Sequence, residues 1–83
     1  SAASDVYKRQ GKEYYQFTLG GSSNQNASLG DRTGPGFPAE ATVGAVETIV
    51  NTYLDIRNDG EPFTDTYRRL GMAPFKEALY GTD

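Results

Sequence analysis

The chain has 83 residues, with 8 basic and 11 acidic side chains, a net charge of −3, and neither cysteine nor histidine. That length allows one small domain and no more, and a domain this small buries little surface unless something else supports it. Disulfides are excluded, and so are thiolate or imidazole metal sites. The cations are spread singly apart from Lys8-Arg9 and Arg68-Arg69, which is not the concentrated basic face that nucleic acid requires. No apolar run approaches the roughly 20 residues of a membrane helix. Neither nucleic acid nor membrane is therefore an expected partner.

Residues 1–10 are polar, without a clear period, and lack the apolar core of a signal peptide. A cytoplasmic chain is the expectation. The string Ser4-Asp5-Val6-Tyr7-Lys8-Arg9-Gln10 resembles the translated adapter tails found at the ends of environmental sequence reads. Residues 1–10 are accordingly expected to be a non-native or disordered tail outside the fold.

Residues 14–19 read as a strand, and the only one. Tyr15, Phe17 and Leu19 fall on one face, and Tyr14, Gln16 and Thr18 on the other. Residues 20–41 read as loop, because Gly20, Gly21, Gly30, Gly34, Pro35, Gly36 and Pro38 leave no room for a regular element. Leu29 and Phe37 are its large apolar residues and are expected to pin it down. A helix is predicted over about 43–58. Thr42 would be its N-cap, and Val46, Ile49, Val50, Tyr53 and Leu54 one apolar stripe. Asp59-Gly60 would stop it. A second helix is predicted over 62–70, opened by Pro62, with Phe63, Tyr67 and Leu70 on one face. A third is predicted over 74–80, with Phe75, Ala78 and Leu79 inward. The fold class expected is thus α+β: one N-terminal strand, a long loop and three C-terminal helices. A lone strand cannot satisfy its own backbone, so the chain reads as part of a larger domain.

Little in the sequence suggests catalysis. Glu47 and Asp55 lie two helical turns apart, about 12 Å, too far for an acid–base pair, and fit a solvated helix face. Gly20-Gly21-Ser22-Ser23 follows a strand, as phosphate loops do, but matches neither dinucleotide nor Walker spacing. It suits a strand exit with unusual backbone angles, or amides that approach a ligand held by other parts of a larger protein. Arg57, Arg68 and Arg69 are candidate anion contacts, although their positions near helix C-termini account for them equally. Tyr53 and Tyr67 lie on apolar stripes and read as core-edge residues.

The segment Tyr15-Gln16-Phe17-Thr18-Leu19-Gly20-Gly21-Ser22 resembles the Tyr-Gln-x-x-Leu-Gly-Gly strand of siroheme-dependent sulfite and nitrite reductases. Ala27-Ser28-Leu29-Gly30, Gly34-Pro35-Gly36-Phe37, the helix ending Tyr53-Leu54-Asp55-Ile56-Arg57, Phe63-Thr64-Asp65-Thr66-Tyr67-Arg68-Arg69-Leu70-Gly71 and Pro74-Phe75-Lys76-Glu77 continue in that family's order. Each motif is modest alone, but their order and spacing are specific. The likeness spans about residues 11–81 and is greatest to the bacterial sulfite reductase haemoproteins.

The resemblance implies an oxidoreductase of sulfur assimilation that reduces sulfite to sulfide, or nitrite to ammonia, by six electrons. Its cofactors would be siroheme and a 4Fe–4S cluster, its donor a flavoprotein or ferredoxin. The cluster cysteines of that family lie upstream of the Tyr-Gln strand, and the substrate-binding cations come from earlier segments. The chain is therefore expected to have no catalytic, cluster or metal ligands and to be inactive alone, as the C-terminal segment of the siroheme domain. Gly20, Gly21 and Ser22 are its candidates for lying near siroheme, and its partner is the remainder of the reductase chain. The family often has a proline at the start of the long helix, where this chain has Thr42-Val43-Gly44. The competing expectation is a stand-alone, non-enzymatic interaction module that adds its exposed strand to a partner's sheet.

Overall fold

A computed structural model describes residues 2–20 and 31–81. The fold is α+β: a four-stranded antiparallel sheet and three helices. Strands β1 (Ala2–Arg9) and β2 (Lys12–Leu19) form a hairpin, in register from Ala2 opposite Leu19 to Arg9 opposite Lys12. Two short strands share the other edge of β2. In β3 (Asp31–Arg32) Arg32 lies opposite Thr18, and in β4 (Phe37–Pro38) Phe37 lies opposite Tyr15. The Thr33 amide donates to the Phe17 carbonyl at 2.9 Å and carries the ladder between them.

The expectation of a single strand is corrected: β2 is central, with neighbours on both sides. β1 runs through residues expected to lie outside the fold. It has no alternating apolar pattern because residues 4–9 are all exposed, and backbone pairing places it. β3 and β4 have two residues each, too few to leave a period in a segment dense with glycine and proline. The backbone of β2 is satisfied, so a lone strand no longer argues for a larger domain. Nor does residues 14–19 offer the free edge that an interaction module would use.

Helix α1 spans Ala39–Ile56, starting earlier than its periodicity suggested. Pro38 is the N-cap residue, extended at φ −63° and ψ 159°. It ends β4 and leads directly into the helix. Thr42, expected as N-cap, lies inside, and its hydroxyl donates back to the Pro38 carbonyl at 3.2 Å. Helix α2 (Phe63–Leu70) follows Pro62, and Gly71 at φ 76° ends it. Helix α3 (Ala73–Tyr80) carries Pro74 in its first turn and ends at Gly81. Both glycines occupy the left-handed region that a side chain would resist.

Phe17 and Leu19 of β2, Ala45 and Ile49 of α1 and Phe75 of α3 form the core. Phe63, Tyr67 and Phe75 stand against one another with ring centroids 5.5–6.3 Å apart. Phe37 pins its segment by packing on Phe17 and Tyr80; Leu29 lies outside the described residues. The expected α1 stripe divides in two. Ile49 and Tyr53 turn inward with Ala45 and Ile56. Val43, Val46, Val50 and Leu54 form an outward ridge, 43–70 % exposed. At 100° per residue the two groups are centred about 110° apart and adjoin at Tyr53 and Val46, so α1 carries one broad apolar arc of which only one flank is buried. Leu70 (39 % exposed) and Ala78 also lie outside the core.

Candidate functional site

The glycine–serine stretch singled out by sequence leaves the C-terminal end of β2. Gly21 and Ser22 lie outside the described residues, but Gly20 does not. Its φ is +85°, which a residue with a Cβ rarely adopts, and its open face is covered by the Tyr67 ring. Tyr67 reaches there because α2 holds it against Phe63 and Phe75. Its hydroxyl then donates to Asp31 Oδ2 at 2.6 Å. Burial, with the Asp31 carboxylate added, pushes the Tyr67 phenol up to about 12, so it is a donor at any ordinary pH. Gly20 and Asp31 are the described residues that flank 21–30, and Leu19 pairs with Asp31 across the ladder. One tyrosine therefore ties both ends of that connection to α2. The arrangement fixes Gly20 and Asp31 against α2.

The three arginines already have partners. Arg69 meets Glu61 in a two-point contact, Nη2 to Oε1 at 2.6 Å and Nε to Oε2 at 3.1 Å, and donates to the Ile56 carbonyl at 3.2 Å. Arg68 pairs with Asp65 at 3.3 Å on the surface, a contact of small energetic consequence. The Arg57 guanidinium lies over the Tyr53 ring, 5.3 Å from its centroid, and donates to its hydroxyl. Glu47 and Asp55 are both exposed on α1.

Glu61 is the residue that sequence reasoning passed over. Besides Arg69, its carboxylate accepts from the Asn58 amide at 3.0 Å and the Thr66 hydroxyl at 2.7 Å. Its own carbonyl accepts the Tyr53 hydroxyl. These contacts join the end of α1 to the start of α2. The signal was faint: an acid just before the proline that opens α2, eight residues ahead of an arginine in its last turn. Hydrogen bonding to Arg69 first, then to Asn58 and Thr66, holds the Glu61 carboxyl down to about 2 from its ordinary 4.5. Its folded value is depressed, so its stabilising contribution is present above about pH 4.5 and is lost as the pH falls toward about 2. The urea midpoint should fall over that window, and Glu61→Gln should remove that part of the fall. An unchanged pH profile in the variant would count against the junction.

Among the described residues no group of three or more Asp, Glu, His or Cys side chains is placed to hold a metal. No described helix is long and apolar enough to cross a membrane. No family model matches the chain, and neither a curated protein nor a solved structure matches it.

Proposed function

We propose that this chain is the C-terminal segment of a cytoplasmic siroheme- and 4Fe–4S-dependent reductase that takes sulfite to sulfide, or nitrite to ammonia. The observation that carries the reading is the ordered series of motifs from Tyr15-Gln16 to Pro74-Phe75-Lys76-Glu77. Its role within that enzyme is structural. β2 supplies a central strand, and the Tyr67 tie at Gly20 and Asp31 sets where the chain leaves β2 toward siroheme held by the rest of the enzyme. Two features support this. The two residues that flank the connection, Gly20 and Asp31, are both held by Tyr67. And α1 leaves an aliphatic ridge of Val43, Val46, Val50 and Leu54 uncovered beside its buried face, a surface for the rest of the enzyme to cover. Siroheme, the cluster and the electron donor, a flavoprotein or ferredoxin, belong to the remainder of the enzyme.

The test compares the 83-residue chain with the product of the complete reading frame that contains it. The longer protein should show a siroheme Soret band and oxidise reduced methyl viologen when sulfite or nitrite is added. The short chain, incubated with siroheme, iron and sulfide, should show no stoichiometric Soret band. A reading frame without paired cysteines and siroheme absorption would overturn the assignment, and a stoichiometric band from the short chain would overturn its purely structural role.

A further inference from the structure

We infer that β1 is exchanged between two copies of this chain, so that each copy's β1 completes the other's sheet. This inference rests on the hairpin alone and is independent of the reductase reading.

The hairpin turn is poorly matched to its residues. Gln10 has φ 53° and Gly11 φ 79°, the two positive values that a two-residue type I′ turn demands. Glycine takes such an angle freely, and asparagine tolerates it, but glutamine does so at a cost. Gln10 is the sole non-glycine residue with positive φ among those described. Every other described residue with positive φ is a glycine.

β1 is also separable from the body of the molecule. Residues 4–9 are exposed, and even Val6 is 55 % accessible. What binds β1 is its ladder with β2, the stack of Tyr7 on Tyr14 at 5.6 Å, and the Gly36 amide donating to the Tyr7 hydroxyl at 3.3 Å. Each of these joins residues 2–9 to the rest of the chain, and a second copy satisfies each of them in the same register. If residues 10–11 straighten, 2–19 becomes one strand of about 60 Å. Two such strands, antiparallel about the hinge, keep every β1–β2 contact. They release the angle at both glutamines and gain pairing across the hinges. No other partner need carry a tyrosine opposite Tyr14 and within reach of Gly36. The second copy does so by identity. Opposing the exchange is the loss of freedom on association, so the dimer forms with rising concentration.

The experiment is light scattering on the eluting 83-residue chain, from about 10 μM to about 1 mM, for the parent, Gln10→Asn and Gln10→Pro. The parent should shift from monomer to dimer across the range. Gln10→Asn gives the preferred Asn-Gly turn and should weaken dimerisation about twenty-five-fold, a factor of about five at each of two hinges. Gln10→Pro cannot hold a positive φ and should be dimeric at the lowest concentration. A parent and a proline variant that both stay monomeric at the top of the range overturn the proposal. So does a dimer whose strength ignores residue 10, which would point instead to another surface, such as the α1 ridge.

Discussion

Phe75→Ala should destabilise the fold by about 3–5 kcal/mol. The ring is fully buried and is the meeting point of three elements: Phe63 and Tyr67 of α2 stand against it, and it shares the core with Phe17 and Leu19 of β2 and Ile49 of α1. Removing it costs the transfer free energy of the ring and leaves a cavity that neighbours on three elements cannot all close. An 83-residue chain has roughly 4–12 kcal/mol of stability in total, so this variant stands at the edge of unfolding. Thermal and urea melts followed by circular dichroism measure the loss, with a fall of more than about 12 °C in the midpoint expected. Val43→Ala is the matched control. That side chain is 70 % exposed, and its loss should change stability by no more than about 0.5 kcal/mol. A Phe75→Ala chain within about 1 kcal/mol of the parent would refute the packing described.

Gly20→Ala should cost about 2–5 kcal/mol from two separable causes. The first is conformational. At φ +85° an alanine Cβ crowds its own backbone, which costs roughly 1–2 kcal/mol. The second is collision: the added methyl would lie 2.7 Å from Tyr67 Cδ2 and 2.9 Å from Cζ. The ring cannot swing away without leaving Asp31 and its place between Phe63 and Phe75, and such overpacking typically costs about 1–3 kcal/mol. A double-mutant cycle with Tyr67→Ala separates them. Against the Tyr67→Ala background, Gly20→Ala should cost only the conformational part, a coupling of at least about 1 kcal/mol. Strict additivity would mean that Tyr67 does not cover Gly20.

The elements legible in sequence were those whose side chains repeat at the period of their backbone. The alternation from Tyr14 to Leu19 marks β2, and its inward residues Phe17 and Leu19 are buried as the pattern requires. Proline and glycine bracket α2 and α3, since Pro62, Gly71, Pro74 and Gly81 act through backbone angles fixed within a few residues. β1 was illegible because its pairing uses backbone groups that every residue carries. The apolar residues of α1 were visible, but not that they divide. Val46 and Val50 look the same in sequence as Ile49, and only the position of the sheet decides which of them is covered.

The candidate site divides the same way. Gly20 stood out because a glycine after a strand signals unusual angles, and its φ is of that kind. That Tyr67, 47 residues further on, lies against it depends on α2 folding back over the sheet. Arg69 was noted for its place at a helix end, whereas its partner Glu61 was passed over. The two meet because the short connection between α1 and α2 turns the carboxylate toward the guanidinium.

By itself, then, the sequence determined the local conformations of one strand and three helices, and through the lack of cysteine and histidine it ruled out any thiolate or imidazole chemistry in this chain. Periodicity and backbone restriction act over a few residues and need no distant partner. Tertiary structure alone decided that β2 is flanked on both sides, that α1 keeps an aliphatic ridge facing outward, and that Tyr67 closes the ends of the glycine–serine connection. Those depend on which surfaces meet when the elements pack, and burial is a property of the pair rather than of either residue.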